Sequence, residues 1–332
     1  MSRRAPPLQG RPGIRPGATA RRAVPPPIGV PPLRASTVCP MSEHVERQRS
    51  ILSRLPITAQ AVEAGESVLL TLRAFGVFVR FCGAAVLGLG HPREWVRNGR
   101  LAKQLFFVGT TSVPVLALTG AFIGMILGFE GFPQFQSIGQ EGRLGGVINL
   151  SLAKQLGPVL AAVMLAGRVG CALTAELGTM RVTEQLDAMR AMAADPVRVL
   201  VCPRVLACVL MIPMLTVFSN LMGVIGGWLV VTQVYGTDDA LYWKYTEMFV
   251  DWFSVTNGLL KSLAFGLAIG LISCYKGFHC RPGAEGVGRA TTSSFVTSFL
   301  AIIFLNLVLA KFLNDFDRMI LKDGHLRSLL GA

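Results

Sequence analysis

The feature that most constrains this chain is a set of long apolar runs without charge. Residues 104–129, 205–237 and 290–310 hold no Asp, Glu, Lys or Arg. Each is long enough to cross the hydrocarbon of a bilayer, which takes about 20 residues of helix. Two more runs nearly match them: 144–178, interrupted by Lys154, Arg168 and Glu176, and 252–275, which carries Lys261. Backbone polar groups have no water to bond in lipid, so such runs must be helices. The sequence therefore predicts an all-α polytopic membrane protein with five transmembrane helices.

Charge between the runs sets an orientation. Arg93, Arg97, Arg100 and Lys103 flank one loop; Arg181, Arg190, Arg198 and Arg204 the next on that side; Lys276, Arg281 and Arg289 the third. The alternate loops hold Glu130, Glu141 and Arg143, then Asp238, Asp239, Lys244, Glu247 and Asp251. Basic loops mark the cytoplasmic side, so the N-terminus is expected inside and the C-terminus outside. Trp228, Tyr235, Tyr242, Trp243, Tyr245 and Trp252 gather near the acidic side, as an aromatic belt does. This alternation accounts for much of the net charge of +13 and argues against nucleic-acid binding.

Before the runs, residues 1–57 are rich in Pro, Arg and Gly without a helical or strand period, and are expected to be disordered. Met41 opens MSEHVERQRS, a plausible alternative start. Residues 58–90 read as a helix with Glu66, Arg73 and Arg80 on one stripe and Val68, Leu69, Leu72, Phe75 and Val79 around it. No charge-free stretch there reaches span length, so the helix is expected to lie in the membrane interface. Residues 316–332 read as a C-terminal tail.

Between the second and third runs, Leu186, Met189 and Ala193 recur at helical spacing, giving a short amphipathic helix over 182–193. Glu184 and Asp187 fall in its first turn, which favours anions. Asp195 suits an N-cap and Pro196 the first position of the following helix. Such a helix either lies on the bilayer surface or docks on a soluble partner. Arg168, roughly 15 Å deep at about 1.5 Å per residue, either lines a pathway or pairs with Glu176. Gly120 and Gly124 have the spacing of close helix contact. The Gly-rich 283–292 lacks the Lys-Ser/Thr of a phosphate loop and reads as a turn into the last span. The seven cysteines show no CxxC, and buried free thiols are expected. No catalytic set, metal site or cofactor site is visible.

The run GRVGCALTAELGTMRVTEQLDAMRAMAADPVRVLVCPRVLA resembles the MlaE (YrbE) permease family, membrane subunits of ABC transporters that move phospholipids between bacterial membranes. The likeness extends more loosely from about Arg73 to Leu313. It implies a homodimer in the bacterial inner membrane, docked on two copies of an ABC ATPase through 182–193. Glu184, Gln185, Leu186, Asp187, Met189 and Arg190 would then form the coupling surface. It also implies an outward lipid cavity and an MCE-domain lipid-binding partner. ATP hydrolysis would belong to a separate chain. The competing expectations are a secondary transporter or channel without an ATPase, and a plastid-type lipid-import permease.

Overall fold

The computed structural model describes residues 56–89 and 99–322. The expected tail up to residue 55, the basic loop at 90–98 and residues 323–332 lie outside them. Within Met1–Val68, a unit by itself, only the helix from Pro56 is described; everything below concerns the unit Leu69–Ala332.

Every regular element among the described residues is helical. Five helical spans are long and apolar enough to cross a membrane: Arg100–Ser137, Glu141–Val182, Val197–Val234, Trp252–Phe278 and Ala284–Asp315. Four overrun the bounds read from the sequence at one or both ends; the third starts earlier, at Val197, but ends at Val234, short of the 237 expected. The charge-free criterion measures hydrocarbon, whereas backbone hydrogen bonding continues the helices into the interface. The fifth helix runs to Lys322, so the expected tail at 316 begins as helix. The Gly-rich 283–292 is also helix from Ala284; its turn is confined to the residues before, ending in Gly283 at φ 95°.

The first span is two helices, Arg100–Thr110 and Val113–Ser137. Pro114 has no N–H to continue the first and sits comfortably in the opening turn of the second. The second span widens into π turns at Leu152–Leu156 and Ala166–Gly170, and the third at Val197–Val201 and Leu229–Val234. A π turn shifts every following side chain around the helix axis and often marks function.

Glycine sets how closely the first and third spans pack. A Cβ on Gly120 would lie 2.3 Å from the Ser219 carbonyl oxygen, and one on Gly124 1.9 Å from that of Gly223. This contact is made within the chain. The fourth span is central, with 61% of its apolar window buried; the fifth is peripheral, with 17%. Leu300, Phe304, Leu307 and Phe312 of the fifth stay exposed.

The interior divides along the spans. Leu165, Leu173, Cys208, Ile212, Phe265 and Ile269 fill the middle. Leu177, Leu186, Val201, Val205, Cys274 and Phe278 fill the basic end. Leu144, Ile148, Val231 and Tyr242 fill the aromatic end. Residues 69–89 of the first helix dock on the basic end through Phe81 and Ala85, with Phe78 and Phe81 edge-on to Tyr275 at 5.1 and 5.6 Å. Leu69, Leu72, Phe75, Val79 and Leu87 remain exposed. Arg73 and Arg80 are exposed on the same segment.

A further helix, Asp239–Phe249, occupies what reads in the sequence only as a charged loop. Asp238 caps it by accepting from the Ala240 N–H at 3.1 Å. Tyr242 is its anchor, buried against Gly145. It exchanges hydrogen bonds with Asn149, whose amide also donates to Thr246 at 2.9 Å. Burial pushes the Tyr242 phenol up to about 12, against the opposing pull of the Asn149 hydrogen bond.

Candidate functional site

The charged loop between the second and third spans folds into a short helix, Gln185–Ala191, narrower than the 182–193 expected. Two non-glycine residues in the left-handed region, Glu184 and Ala193, both at φ 58°, bracket it. That conformation costs an L residue about 1–2 kcal/mol, so the loop's two sharp reversals are held by packing. Ala193 therefore leaves the stripe that its spacing suggested. Beyond it, the Asp195 carboxylate accepts from the Val197 N–H at 3.0 Å and caps the third span, with Pro196 just inside.

The apolar stripe faces inward. Leu186 is fully buried among Leu177, Val201, Val205 and Phe278, and Met189 packs beside it. Leu186 and Met189, expected on the coupling surface, are taken instead by the chain's own basic-end core. Asp187 is engaged as well. Arg181 donates to both its oxygens at 3.1 and 2.9 Å, and Arg190 to one at 3.0 Å. The Arg190 guanidinium also lies 5.9 Å from the Phe278 ring centre. What stays exposed is another face: Glu184, Gln185, Ala188, Ala191 and Met192, the last at 72%. A small, mixed, rigidly backed surface of this kind can bind a protein.

Inside the spans, the structure re-pairs the charges. Glu176 does not pair with Arg168. It accepts from Arg204 of the third span at 3.0 Å. Arg204 also donates to the Leu200 carbonyl, yet its Nε has no partner. From the sequence Arg204 reads only as a basic flank; the third helix in fact begins seven residues earlier, at Val197, which brings Arg204 inside the span. Arg168 sits in the π turn Ala166–Gly170 and is exposed, with no ion pair or hydrogen bond among the described residues. Its neighbours Gly167 and Cys171 meet Phe295 and the Thr291 carbonyl of the fifth span.

The exposed side of the fifth span is polar near its basic end. A shallow cavity of about 490 Å³ is lined by Gly288, Arg289, Thr292, Ser293, Val296 and Thr297. Lys276 of the fourth span donates to Ser293 at 3.0 Å. Near the same end, burial raises the Cys280 thiol above its usual value, although Arg181 pulls the other way. Among the described residues no cluster of three His, Cys, Asp or Glu could hold a metal.

Residues 101–312 match the family described as Permease MlaE. A probable ABC transporter permease protein of Rickettsia typhi is 36% identical over 249 residues, 75% of this chain and 95% of that protein. The intermembrane phospholipid transport system permease protein MlaE of Haemophilus influenzae is 36% identical over 248 residues, 74% of this chain and 94% of its own length. The chloroplastic protein TRIGALACTOSYLDIACYLGLYCEROL 1 of Arabidopsis thaliana is 36% identical over 210 residues, 63% of this chain and 60% of that protein.

Proposed function

This chain belongs to the MlaE permease family, and on that premise we propose how it works. It is the membrane-spanning permease subunit of an ABC transporter for phospholipids or related lipids. The observation that carries this reading is the match over 101–312, which takes in nearly all of the spanning bundle and the short helix Gln185–Ala191.

The permease is a homodimer in a bacterial inner membrane, with its N-terminus in the cytoplasm and its C-terminus outside. Two copies of a separate ATPase dock at the basic end, on Glu184, Gln185, Ala188 and Met192. Leu186 then serves as the rigid link: because it is seated under Leu177 and Val201, a push on the short helix shifts the second and third spans together. Nucleotide thus biases a two-state bundle. Arg168 lines the lipid pathway or the seam between the two copies, since a bare cation at that depth needs water or protein beside it. An MCE-domain protein exchanges lipid at the aromatic end. Import of lipid into a plastid-type compartment is the second reading, supported by the Arabidopsis relative.

The test is co-purification with the ATPase. Gln185→Lys and Met192→Glu are expected to release the ATPase while leaving the permease folded, because both side chains are exposed. ATP-driven lipid transfer between vesicles should fall in step. Full ATPase retention and parental transfer in both variants would overturn the docking surface. Arg168→Met should assemble normally and transfer lipid poorly; unchanged transfer removes Arg168 from the pathway.

A further inference from the structure

The fifth span repeats itself over one helical turn. Residues 293–300 read SSFV then TSFL, two four-residue blocks with the same chemistry at each place. The first block is seated against the bundle. Thr174 of the second span donates to the Ser294 Oγ at 2.9 Å, and Ser294 donates to the Ser273 Oγ of the fourth span at 3.2 Å. Lys276 donates to Ser293 at 3.0 Å. The Phe295 ring lies 3.5 Å from where a Cβ on Gly167 would stand. The second block carries the same groups without these seats. Ser298 is 1% exposed, yet its Oγ has no partner. Phe299 stacks on Phe295, with ring centres 6.3 Å apart. A buried hydroxyl without a partner is rare and calls for a cause.

The match continues along the face that meets the bundle. Val287 lies against Gly178, and Thr291, also β-branched, follows four residues on. Leu305 and Leu309 pack on the central core, and Leu313 follows at 5% exposed. One place breaks the match. Ile302 is fully buried in that core, and four residues on stands Asn306, whose Oδ1 is buried without a partner.

We propose that the fifth span has two registers on the second and fourth spans, one helical turn apart. One is the register seen. In the other the span has screwed towards the basic end by four residues, roughly 6 Å along its axis and about 40° around it. Ser298 then replaces Ser294 between Thr174 and Ser273, Thr297 replaces Ser293 at Lys276, and Phe299 replaces Phe295 at Gly167. Packed helices switch by whole-turn steps because their interfaces are bistable and not continuously deformable. The step raises the Ala284 end by one turn on the basic side, and the hydrogen bonds to the neighbouring spans are remade in kind.

The chain allows the movement. Only residues 279–283 join the fourth helix to the fifth, and six Cα–Cα steps reach about 20 Å. The apolar span Ala284–Asp315 has 32 residues, against the about 20 that hydrocarbon requires. It is also the least buried of the five, at 17%. Lys311 moves to the level of Leu307, a depth from which a lysine snorkels back to the interface. Asn306 entering the place of Ile302 keeps the second register the minor one. The device belongs to this chain by itself and holds whether or not an ATPase drives it.

The experiment uses the full chain in phospholipid nanodiscs, with Cys171 as the sole native cysteine. Cys171 donates to the Thr291 carbonyl at 3.6 Å. Thr291→Cys therefore reports the register seen and Phe295→Cys the shifted one, while Phe299→Cys, two turns away, is the control. A membrane-permeant oxidant forms the disulfide with Cys171, and mass spectrometry of the digested chain counts it. Thr291→Cys is expected to link fastest, and Phe295→Cys more slowly but well above the control. Adding Asn306→Leu should speed the Phe295→Cys link about tenfold, the effect of relieving one buried unpaired amide. Adding Ser298→Val should bring that link down to the control rate and leave the Thr291→Cys link unchanged. Its melting midpoint should hold or rise, because the Ser298 hydroxyl has no bond to lose in the register seen. The proposal is overturned if Phe295→Cys links no faster than Phe299→Cys with and without Asn306→Leu. It is overturned equally if neither Asn306→Leu nor Ser298→Val alters the Phe295→Cys rate, which would mark undirected motion without a second seat.

Discussion

Arg204 and Glu176 meet at 3.0 Å, but the two ends of the pair live in different surroundings: the arginine side chain is 4% exposed and the glutamate 40%. The pair ties the third span to the second just inside the seat of Leu186. Removing one partner of a buried pair is expensive mainly because it strands the other. Here only the arginine can be stranded. Glu176→Leu should therefore destabilise by about 3 kcal/mol, and Arg204→Met by about 1 kcal/mol, because the glutamate left behind is partly hydrated. Apparent melting midpoints in detergent rank the two; the reverse order would show that the pair is not the stabilising element.

Leu186→Ala should act as a core mutation and cost about 2–4 kcal/mol, with lower yield and an earlier melting midpoint. Met192→Ala, on the exposed side, should stay within about 0.5 kcal/mol of the parent. Equal midpoints for the two would mean that Leu186 is not seated in the bundle.

Gly124→Ala places a methyl against the Gly223 carbonyl, which cannot rotate away. It should cost about 1–3 kcal/mol, the usual penalty of overpacking. Gly76→Ala meets nothing within 4 Å on its exposed helix and should be neutral or slightly stabilising, since alanine favours helix. The contrast is read from melting midpoints of the two variants beside the parent.

Sidedness follows from exposed positions at opposite ends. On a background without the native cysteines, Met248→Cys at the aromatic end should react with an impermeant thiol reagent in intact cells. Met192→Cys at the basic end should react only after the membrane is opened. Both side chains are more than 70% exposed, so poor access does not explain a silent position. Labelling at 192 alone in intact cells inverts the topology.

Tyr242 makes the aromatic-end helix sensitive to high pH. Its phenol titrates at about 12 in the folded chain and at about 10 when unfolded. The neutral form is thus the one that folding favours. Its stabilisation is complete below about pH 10 and is lost as pH rises through about 12. Fluorescence of Trp243, whose ring lies 5.6 Å from that of Tyr242, should report the loosening. Tyr242→Phe should abolish that transition and cost about 1 kcal/mol at neutral pH. A transition that persists in the variant would belong to another group.

What the sequence determined by itself was the set of spans. Crossing hydrocarbon is a local demand, about 20 apolar residues at a time, and each of the five runs met it without reference to its neighbours. The Asp195 cap and the amphipathic period of the short helix were local too, and the capping hydrogen bond is present at 3.0 Å. Which way that period faced was not local. Leu186 and Met189 fit a partner's groove and their own bundle equally well, and only packing under Leu177 and Val201 decided it. The helix Asp239–Phe249 stayed hidden because its anchor, Tyr242, is fixed by Asn149, 93 residues away. The charge pairing was undetermined for a related reason. A span that is apolar all round carries no stripe to set its rotation, and four π turns shift the faces along its length. Glu176 thus met Arg204, Lys261 met the Lys154 carbonyl, and Arg168 was left to face outward, choices that close packing among the spans made and no single stretch of sequence contained.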